Sequence, residues 1–340
     1  MITIKEIAEM LDLSTTTVSN VIHGKTGEVS AGTIEKVEAV LHQYEYVPNF
    51  NARNLAQNES RIIGLAMKSR ADKYRNFIQD PFVGELIGGI EKEVRLNEYF
   101  MMIYISDEIS EITRMISAWN VDGLLLLGMQ GDDVVRVNEK CRKPIVCIDS
   151  YFVPEFDHFV NVGTEDEKGT YDMIKYLIDH GHRKIAFLAD NCIGVDYERY
   201  KGYKRALRQA GILYQEADFF MFRPAPDERE DSLNELCERA KNYTAVFCSS
   251  DYYAILLMNA LTDRGVRVPE DVSIVGFDDN MLGQLHRPPL TTVHQDVERK
   301  AVMAVDLLIR QLQGEKIRKQ KVQLPVHLVF RSTTRDLTAE

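Results

Sequence analysis

The sequence predicts a small all-α N-terminal domain followed by an α/β core built from two doubly wound parallel-sheet lobes. Up to Tyr44, apolar side chains recur at the spacing of short amphipathic helices. From Ile62 onward, short apolar runs of strand length alternate with amphipathic helical segments in two successive series. A chain of 340 residues is long enough for one small domain and one large one.

The N-terminal region is predicted to hold three short helices. Thr3 is followed three residues later by Glu6, which is the spacing of a capping box at the start of a helix. Ser14 is placed to cap a second helix, and a third is predicted from Ser30 to about Tyr44. The residues expected to face inward are Ile4, Ile7, Ala8, Leu11, Val18, Val21, Ile22, Ile34, Val37, Val40, Leu41 and Tyr44.

The second helix presents only short, uncharged polar side chains on its outer face. Two short helices joined by a tight turn form a helix-turn-helix pattern, whose second helix lies in the DNA major groove. Many helical pairs with this spacing have no role in DNA binding, so the spacing alone is not decisive. The residues expected at the DNA are Thr15, Thr16, Thr17, Ser19 and Asn20, and those on the outer face, Thr15, Thr16, Ser19 and Asn20, would meet base edges.

The charge of the chain is unusual for a protein that binds a polyanion. The net charge is −11, and the residues through Ser60 include four basic and eight acidic side chains. Helix N-termini, backbone amides and hydroxyl groups can hold phosphates without lysine, so the DNA-binding prediction stands. The alternative is a cytoplasmic small-molecule-binding protein with weak or no DNA binding.

Residues 61–340 are predicted to form the two lobes with a ligand cleft between them. Open parallel sheets bind ligands at the carboxyl ends of their strands, so the loops of both lobes should meet in that cleft. The predicted strands are 62–67, 100–105, 123–127, 145–148, 184–189, 245–248 and 272–275. The predicted helices are 82–97, 109–119, one near Val134, 168–180, 200–209, 233–240 and 252–264.

The N-terminal residues carry a resemblance to a known family. The segments Thr3-Ile4-Lys5-Glu6-Ile7-Ala8, Ser14 with Thr17-Val18-Ser19, and Tyr46-Val47-Pro48-Asn49 with Ala52-Arg53 and Leu55 resemble the headpiece of the lactose-repressor family of bacterial transcription regulators. The resemblance continues through Pro81-Phe82, Val121-Asp122-Gly123, Gly181-His182-Arg183, Val275-Gly276-Phe277-Asp278-Asp279 and Pro289-Leu290-Thr291-Thr292-Val293 to Arg331-Ser332-Thr333. These core segments resemble the sugar-binding core that the family shares with periplasmic binding proteins.

The resemblance implies a domain organisation. Residues 1–47 would be the helix-turn-helix headpiece, 48–60 a hinge helix or linker, and 61–340 the effector-binding and dimerisation core. Lobe 1 would comprise about 61–160 and 292–321, and lobe 2 about 161–291 and 322–340. A two-turn helix in the hinge is too short to persist alone in water, so a polar linker is the alternative.

The resemblance also implies a mode of action. A homodimeric repressor would bind double-stranded operator DNA under the control of a small molecule, most often a sugar, although purines and other metabolites occur in the family. Leu55 matches the position that wedges between base pairs in the minor groove, with Arg53 beside it. The hinge residues expected at the DNA are Asn49, Ala52, Arg53 and Leu55.

The candidate ligand residues are planar polar side chains and one aromatic ring, the groups that bind sugars. Arg199 offers five donors in a rigid fork, and Asp278 follows a buried strand. Asp251 opens a helix, so an N-cap role is an equal alternative, and the family commonly has Asn-Asp where this chain has Ser250-Asp251. The full set of candidates is Phe82, Asp149, Arg199, Asp251, Asp278 and Gln295.

Several other classes are not indicated. No Gly-rich phosphate loop follows a strand and no Gly-x-Ser-x-Gly elbow occurs, so neither an enzyme nor a cofactor is expected. The five cysteines show no metal-ligand spacing and no disulfide framework. No apolar run reaches the length of a membrane span, and Met1 leads directly into a capped helix and not a signal peptide. We therefore expect a cytoplasmic location, and no coiled-coil tetramer is expected because no heptads follow Arg335.

Overall fold

The computed structural model describes residues 2–22, 24–46, 60–70, 73, 76–151, 159–318 and 320–338. Backbone contacts divide the chain into two compact units, Met1–Ser60 and Arg61–Glu340. The predicted hinge lies almost wholly outside the described residues, and so do Asn49, Ala52, Arg53 and Leu55. None of the helices in the described part of the chain is long and apolar enough to cross a membrane.

The N-terminal unit consists of three helices, α1 (Ile4–Leu11), α2 (Thr15–Ile22) and α3 (Ala31–Gln43). The predicted capping box is present, because the Glu6 amide donates to Thr3 Oγ1 at 3.2 Å and the Thr3 amide donates to Glu6 Oε2 at 2.7 Å. Ser14 caps α2 by accepting the Thr17 amide at 3.0 Å.

A small apolar core joins the three helices, and one residue departs from the prediction. Tyr44 is 44% exposed, because α3 ends at Gln43 and the helical spacing does not continue beyond it. Tyr46 packs against the core instead. The fully buried members of this core are Ile7, Ala8, Val18, Val21 and Val37.

The first lobe contains a six-stranded parallel sheet in the order β11-β5-β4-β3-β1-β2 among the described residues. Its strands are β1 (Ile62–Lys68), β2 (Phe100–Ser106), β3 (Gly123–Leu127), β4 (Ile145–Ile148), β5 (Val160–Thr164) and β11 (Lys321–Leu324). Its helices are α4 (Pro81–Leu96), α5 (Ile109–Trp119), α6 (Gly131–Cys141) and α12 (Val297–Leu312).

The second lobe repeats this plan with one antiparallel edge strand. Its sheet has the order β12-β10-β9-β8-β6-β7 among the described residues, and β12 runs antiparallel to β10. The strands are β6 (Ile185–Ala189), β7 (Phe219–Met221), β8 (Ala245–Cys248), β9 (Ser273–Asp278), β10 (Thr291–Gln295) and β12 (Val326–Val329). The helices are α7 (Asp166–Asp179), α8 (Gly194–Gln209), α9 (Arg229–Ala240), α10 (Asp251–Thr262) and α11 (Met281–Leu285).

Apolar clusters cover both faces of each sheet, as a parallel sheet requires. Between α7 and α8 the packing depends on Gly202, where an added Cβ would lie 2.1 Å from the carbonyl oxygen of Glu167. The two doubly wound lobes confirm the predicted fold class.

In the described part of the chain, the backbone passes between the lobes three times: after β5, after β10 and between β11 and β12. The prediction placed the second crossing near Thr291, but β10 pairs with β9 of the second lobe, with Thr291 opposite Val275. The crossing therefore lies at Asp296, which caps α12 by accepting the Arg299 amide at 2.8 Å. Likewise, β5 extends lobe 1 to Thr164 and β11 extends it to Leu324.

Candidate functional site

A cavity of about 240 Å³ lies between the two lobes, where the carboxyl ends of their strands meet. Most of its lining residues have polar side chains, and carboxylates outnumber cations among the described residues. The acidic lining residues are Asp80, Asp149, Asp190, Asp196 and Asp278, the cationic ones are Arg70, Lys73 and Arg199, and the aromatic ones are Phe77, Phe82 and Tyr253.

Five of the six candidate ligand residues line this cavity. Asp149 directly follows β4, whereas Asp278 and Gln295 end β9 and β10. Arg199 projects from α8, and Phe82 lies in the first turn of α4, where its amide donates to the Asp80 carboxylate at 2.9 Å. The structure thus brings together residues from both lobes at one site.

Arg199 contacts several residues on the lobe 2 side of the cavity. Its Nε donates to Asp166 Oδ1 at 2.8 Å, its Nη1 donates to the carbonyl oxygen of Ser249, and Nη1 lies 3.8 Å from Asp278 Oδ1. The guanidinium carbon stands 3.6 Å from the centre of the Phe277 ring. Burial lowers the pKa of Arg199, but the neighbouring carboxylates, Asp166 first, raise it by more. The arginine is therefore a fixed cation with a rigid orientation.

Two of the cavity carboxylates lie on strained backbone. Asp149 has φ 51° and Asp278 has φ 133°, values that side-chain-bearing residues rarely adopt. Burial raises the pKa of both carboxyl groups, while Lys300 lowers that of Asp149 and Arg199 lowers that of Asp278. Such strain and pKa shifts are typical of functional sites.

The neighbouring Asp279 is placed away from the cavity lining. Its carboxylate accepts a hydrogen bond from Arg331 and lies 3.1 Å from His294 Nδ1. It therefore ties the C-terminal segment to β10, and of the two consecutive aspartates only Asp278 lines the cavity among the described residues.

Asp251 does not line the cavity, contrary to its selection as a ligand residue. It is fully buried at the start of α10, where it accepts the Thr292 hydroxyl at 2.5 Å and the Asn280 amide at 2.9 Å. A Cβ added at Gly276 would lie 2.3 Å from its Oδ1. The helix therefore begins against β9 and β10, so Asp251 links these elements inside lobe 2. Ser250 is the N-cap that accepts the Tyr253 amide.

Lys300 was not selected from the sequence, although it contacts three of the candidates. Its Nζ donates to Asp149 Oδ1 and Oδ2 at 2.8 and 2.7 Å and to Gln295 Oε1 at 2.7 Å. The same nitrogen lies 4.9 Å from the centre of the Phe82 ring. The sequence did contain a signal of its burial, because Lys300 interrupts an otherwise apolar stripe on α12 (Val297, Ala301, Ala304, Val305, Leu308).

Contacts between the lobes also join residues that line the cavity. Arg70 Nη2 of lobe 1 lies 3.3 Å from Asp190 Oδ2 of lobe 2, and Lys73 Nζ lies 4.5 Å from the centre of the Tyr253 ring. Asn191 donates to both Asp190 and Asp196 at 2.7 Å. Burial, and secondly the charge of Asp190, raises the pKa of Asp196 to about 6.

The candidate DNA-contacting residues lie on α2 of the N-terminal unit. Thr15 and Thr16 are exposed, and Thr17, Ser19 and Asn20 are half-buried. The Thr17 hydroxyl lies 2.8 Å from Ser14 Oγ, so it is engaged in the helix cap. Of the five residues, Thr15 and Thr16 are therefore the most accessible to a base edge.

Comparison with known proteins gives matches to both units. Residues 3–49 match the family model for bacterial regulatory proteins of the lacI family, and residues 174–334 match the periplasmic binding protein-like domain. The HTH-type transcriptional repressor PurR of Vibrio atlanticus is 32% identical, over 99% of this chain and 100% of the relative. The PurR repressor of Vibrio cholerae is 31% identical over 99% of each chain.

Solved structures match over nearly the whole chain as well. The lac repressor dimer bound to operator and the anti-inducer ONPF is 27% identical, with a TM-score of 0.84 over 98% of this chain and 99% of that one. The complex of the transcriptional regulator CelR with cellobiose is 26% identical, with a TM-score of 0.73 over 98% of this chain and 100% of that one.

Proposed function

The chain belongs to the lacI family of bacterial regulatory proteins, and from this premise we propose that a neutral carbohydrate bound between its lobes controls a homodimer on operator DNA. The protein is a DNA-binding transcriptional repressor controlled by a small molecule. We infer from its repressor relatives that it acts by binding and not by catalysis. We also infer that it works in the cytoplasm, because a repressor must reach the chromosome.

We choose a neutral carbohydrate as the ligand because of the residues that line the cavity. Among the described residues, five carboxylates and three cations line it, together with Phe77, Phe82 and Tyr253. Carboxylate oxygens accept hydrogen bonds from hydroxyl groups, and an aromatic face packs against the apolar side of a sugar ring. The acidic excess disfavours an anionic ligand such as a sugar phosphate. The cellobiose bound to CelR supports the same class of ligand.

The N-terminal helices would read the operator. Thr15 and Thr16 on α2 are exposed and carry hydroxyl groups that can donate to or accept from base edges, with Thr17, Ser19 and Asn20 beside them. Asn49, Ala52, Arg53 and Leu55 would meet the minor groove, on the strength of the family resemblance. A symmetric dimer would read a near-palindromic site, one half-site per subunit.

An exposed apolar patch on lobe 2 supports self-association. The short helix α11 exposes Met281 by 66% and Leu285 by 65%, next to Leu282 at 38%. Three large apolar side chains on one five-residue helix are typical of a surface that is covered in an oligomer. We place part of the dimer contact there, and the lac repressor dimer supports the assembly.

The coupling between ligand and DNA would pass through the arrangement of the lobes. A ligand that contacts both lobes favours the lobe arrangement to which it binds more tightly. A change in lobe angle would change the separation of the two linkers in the dimer, and so the folding of residues 48–60.

A thermal-shift screen tests this proposal. Neutral sugars, sugar phosphates and nucleobases are each added to the purified protein, and a ligand at 100 times its dissociation constant adds about 2.7 kcal/mol of stability. We expect stabilisation by a neutral sugar, and a gel shift with the DNA upstream of the protein's own gene should then respond to that sugar. Stabilisation by a nucleobase or a sugar phosphate alone would contradict the assigned ligand class, whereas the absence of a gel shift would favour a binding protein without DNA affinity.

A further inference from the structure

A fully buried lysine stands behind the lining of the cavity. Lys300 has no exposed surface, and it lies on the face of α12 that packs into the apolar core of lobe 1. Burying an ammonium group is unfavourable by several kcal/mol unless its charge and its hydrogen-bonding groups are matched. The surroundings of Lys300 must therefore satisfy it completely.

The contacts of Lys300 account for all three hydrogens of its ammonium group. Two are donated to the two carboxylate oxygens of Asp149, and one to the side-chain oxygen of Gln295. The face of the Phe82 ring lies 4.9 Å away and adds a cation–π contact. Asp149, Gln295 and Phe82 all line the cavity, so one residue behind the lining contacts three residues within it.

Through Gln295 the influence of Lys300 extends to the second lobe. The Gln295 oxygen accepts from Lys300, and its Nε2 donates to Asp278 Oδ1 at 2.7 Å. Because both ends of the amide are occupied, its orientation is determined, with the oxygen toward lobe 1 and the nitrogen toward lobe 2. Asp278 in turn faces Arg199.

Lys300 also neutralises a carboxylate with which a ligand cation would otherwise pair. Asp149 is a cavity carboxylate, and both its oxygens are bound by Lys300 at salt-bridge distance. A cationic group of a ligand placed against Asp149 would come within about 5 to 6 Å of the lysine, where like charges repel strongly at low dielectric. An uncharged hydroxyl group placed there meets no such repulsion.

We propose that Lys300 is the specificity-determining residue of the cavity, an internal counter-ion for Asp149 that selects an uncharged hydroxylated ligand and rejects a cationic one. This inference deepens the proposed carbohydrate function and rests on the same cavity. Lys300 acts as a positioning residue, since it reaches the ligand only through Asp149, Gln295 and Phe82.

Chemical rescue tests the counter-ion role without any sugar. Lys300→Ala removes three methylene groups and the ammonium group, which together correspond to propylammonium. Propylammonium chloride should raise the melting temperature of Lys300→Ala relative to sodium chloride at equal ionic strength. It should not do so for the wild type, nor for Lys300→Ala combined with Asp149→Asn, which lacks the carboxylate. Equal responses of the three proteins, or no response from Lys300→Ala, would overturn the proposal.

A matched pair of sugars tests the selectivity itself. Glucose and glucosamine differ in one hydroxyl group, which is an ammonium group in glucosamine at about pH 6. Calorimetry should show that the wild type prefers glucose by at least about tenfold and that Lys300→Met loses or reverses this preference. The double variant Lys300→Met with Asp149→Asn removes both charges, so it can be measured even if the single variants do not fold. It should bind glucose and glucosamine with similar affinity.

Together, the propylammonium rescue and the sugar comparison distinguish the role of Lys300 from the proposed carbohydrate function on which it rests. If no neutral sugar of the thermal-shift screen binds while propylammonium rescues Lys300→Ala, the carbohydrate proposal is wrong and the counter-ion role stands. If the wild type prefers glucose and the preference is unchanged in Lys300→Met, the carbohydrate proposal stands and the selectivity of Lys300 is refuted.

Discussion

Replacing Asp251 with asparagine should stabilise the core unit at neutral pH, although it alters a fully buried carboxylate that accepts hydrogen bonds from the Thr292 hydroxyl and the Asn280 amide. Asparagine has the same shape as aspartate. Its side-chain oxygen can accept the Asn280 amide, and its side-chain nitrogen can donate to the Thr292 hydroxyl oxygen. The substitution therefore keeps the two contacts and removes the buried charge.

The magnitude follows from the pKa of Asp251. Burial raises this pKa from the ordinary 3.8 to about 6. Below the lower value the carboxyl group is protonated in both the folded and the unfolded chain, and above the higher value it is ionised in both. Between these two pKa values the folded state binds the proton more tightly than the unfolded state does, so the free energy of unfolding falls as the pH rises. The loss amounts to about 3 kcal/mol by pH ~7, at about 1.4 kcal/mol per pKa unit.

Urea unfolding across this pH range measures the effect. We expect Asp251→Asn and the wild type to have similar unfolding free energies near pH ~4, with the variant more stable by about 1 to 3 kcal/mol near pH ~8. For a unit of this size that corresponds to a melting temperature higher by roughly 2 to 5 °C. Asp107→Asn is the matched control, because Asp107 is exposed in the turn after β2. It should change stability by less than about 0.5 kcal/mol at either pH.

Two results would refute this reasoning. One is a variant less stable than the wild type near pH ~8, which would mean that the ionised carboxylate makes a net favourable contribution through Thr292 and Asn280. The other is a stability difference that does not change with pH, which would mean that Asp251 is not the group that titrates.

Three further predictions concern the two functions of the chain. Arg199→Met leaves Asp166 and Asp278 without their cation, so it should destabilise the core by about 3 to 5 kcal/mol in thermal unfolding and abolish the effector response, and an unchanged melting temperature would contradict the buried network. Leu55→Ala should weaken operator binding by about tenfold in a gel shift and leave effector affinity intact, and equal operator affinity would remove the wedge role. Four basic side chains through Ser60 give eight per dimer, so the slope of log affinity against log salt should not exceed about −7 in magnitude, and a slope near −10 would contradict this.

The local features of the chain were predictable because neighbouring residues determine them. The capping box at Thr3 and Glu6 and the N-cap at Ser14 need only side chains three residues apart and the amides beside them. Strands β3 and β4 match their predicted bounds because each is a short, continuous apolar run. Short or partly exposed strands such as β7 and β11 carry little apolar signal, and they were not predicted.

The sequence by itself therefore determined the helix-turn-helix unit, the alternation of strands and helices, the family and the strand ends at which the cavity residues lie. Only the tertiary structure decided that β10 belongs to the second lobe, because that depends on its pairing with β9. The tertiary structure also distinguished two aspartates that both lie near strand ends: Asp278 lines the cavity, whereas Asp251 is buried against Thr292 inside lobe 2. It also paired Lys300 with Asp149, which lies 151 residues earlier in the chain, a separation at which no local pattern predicts a contact.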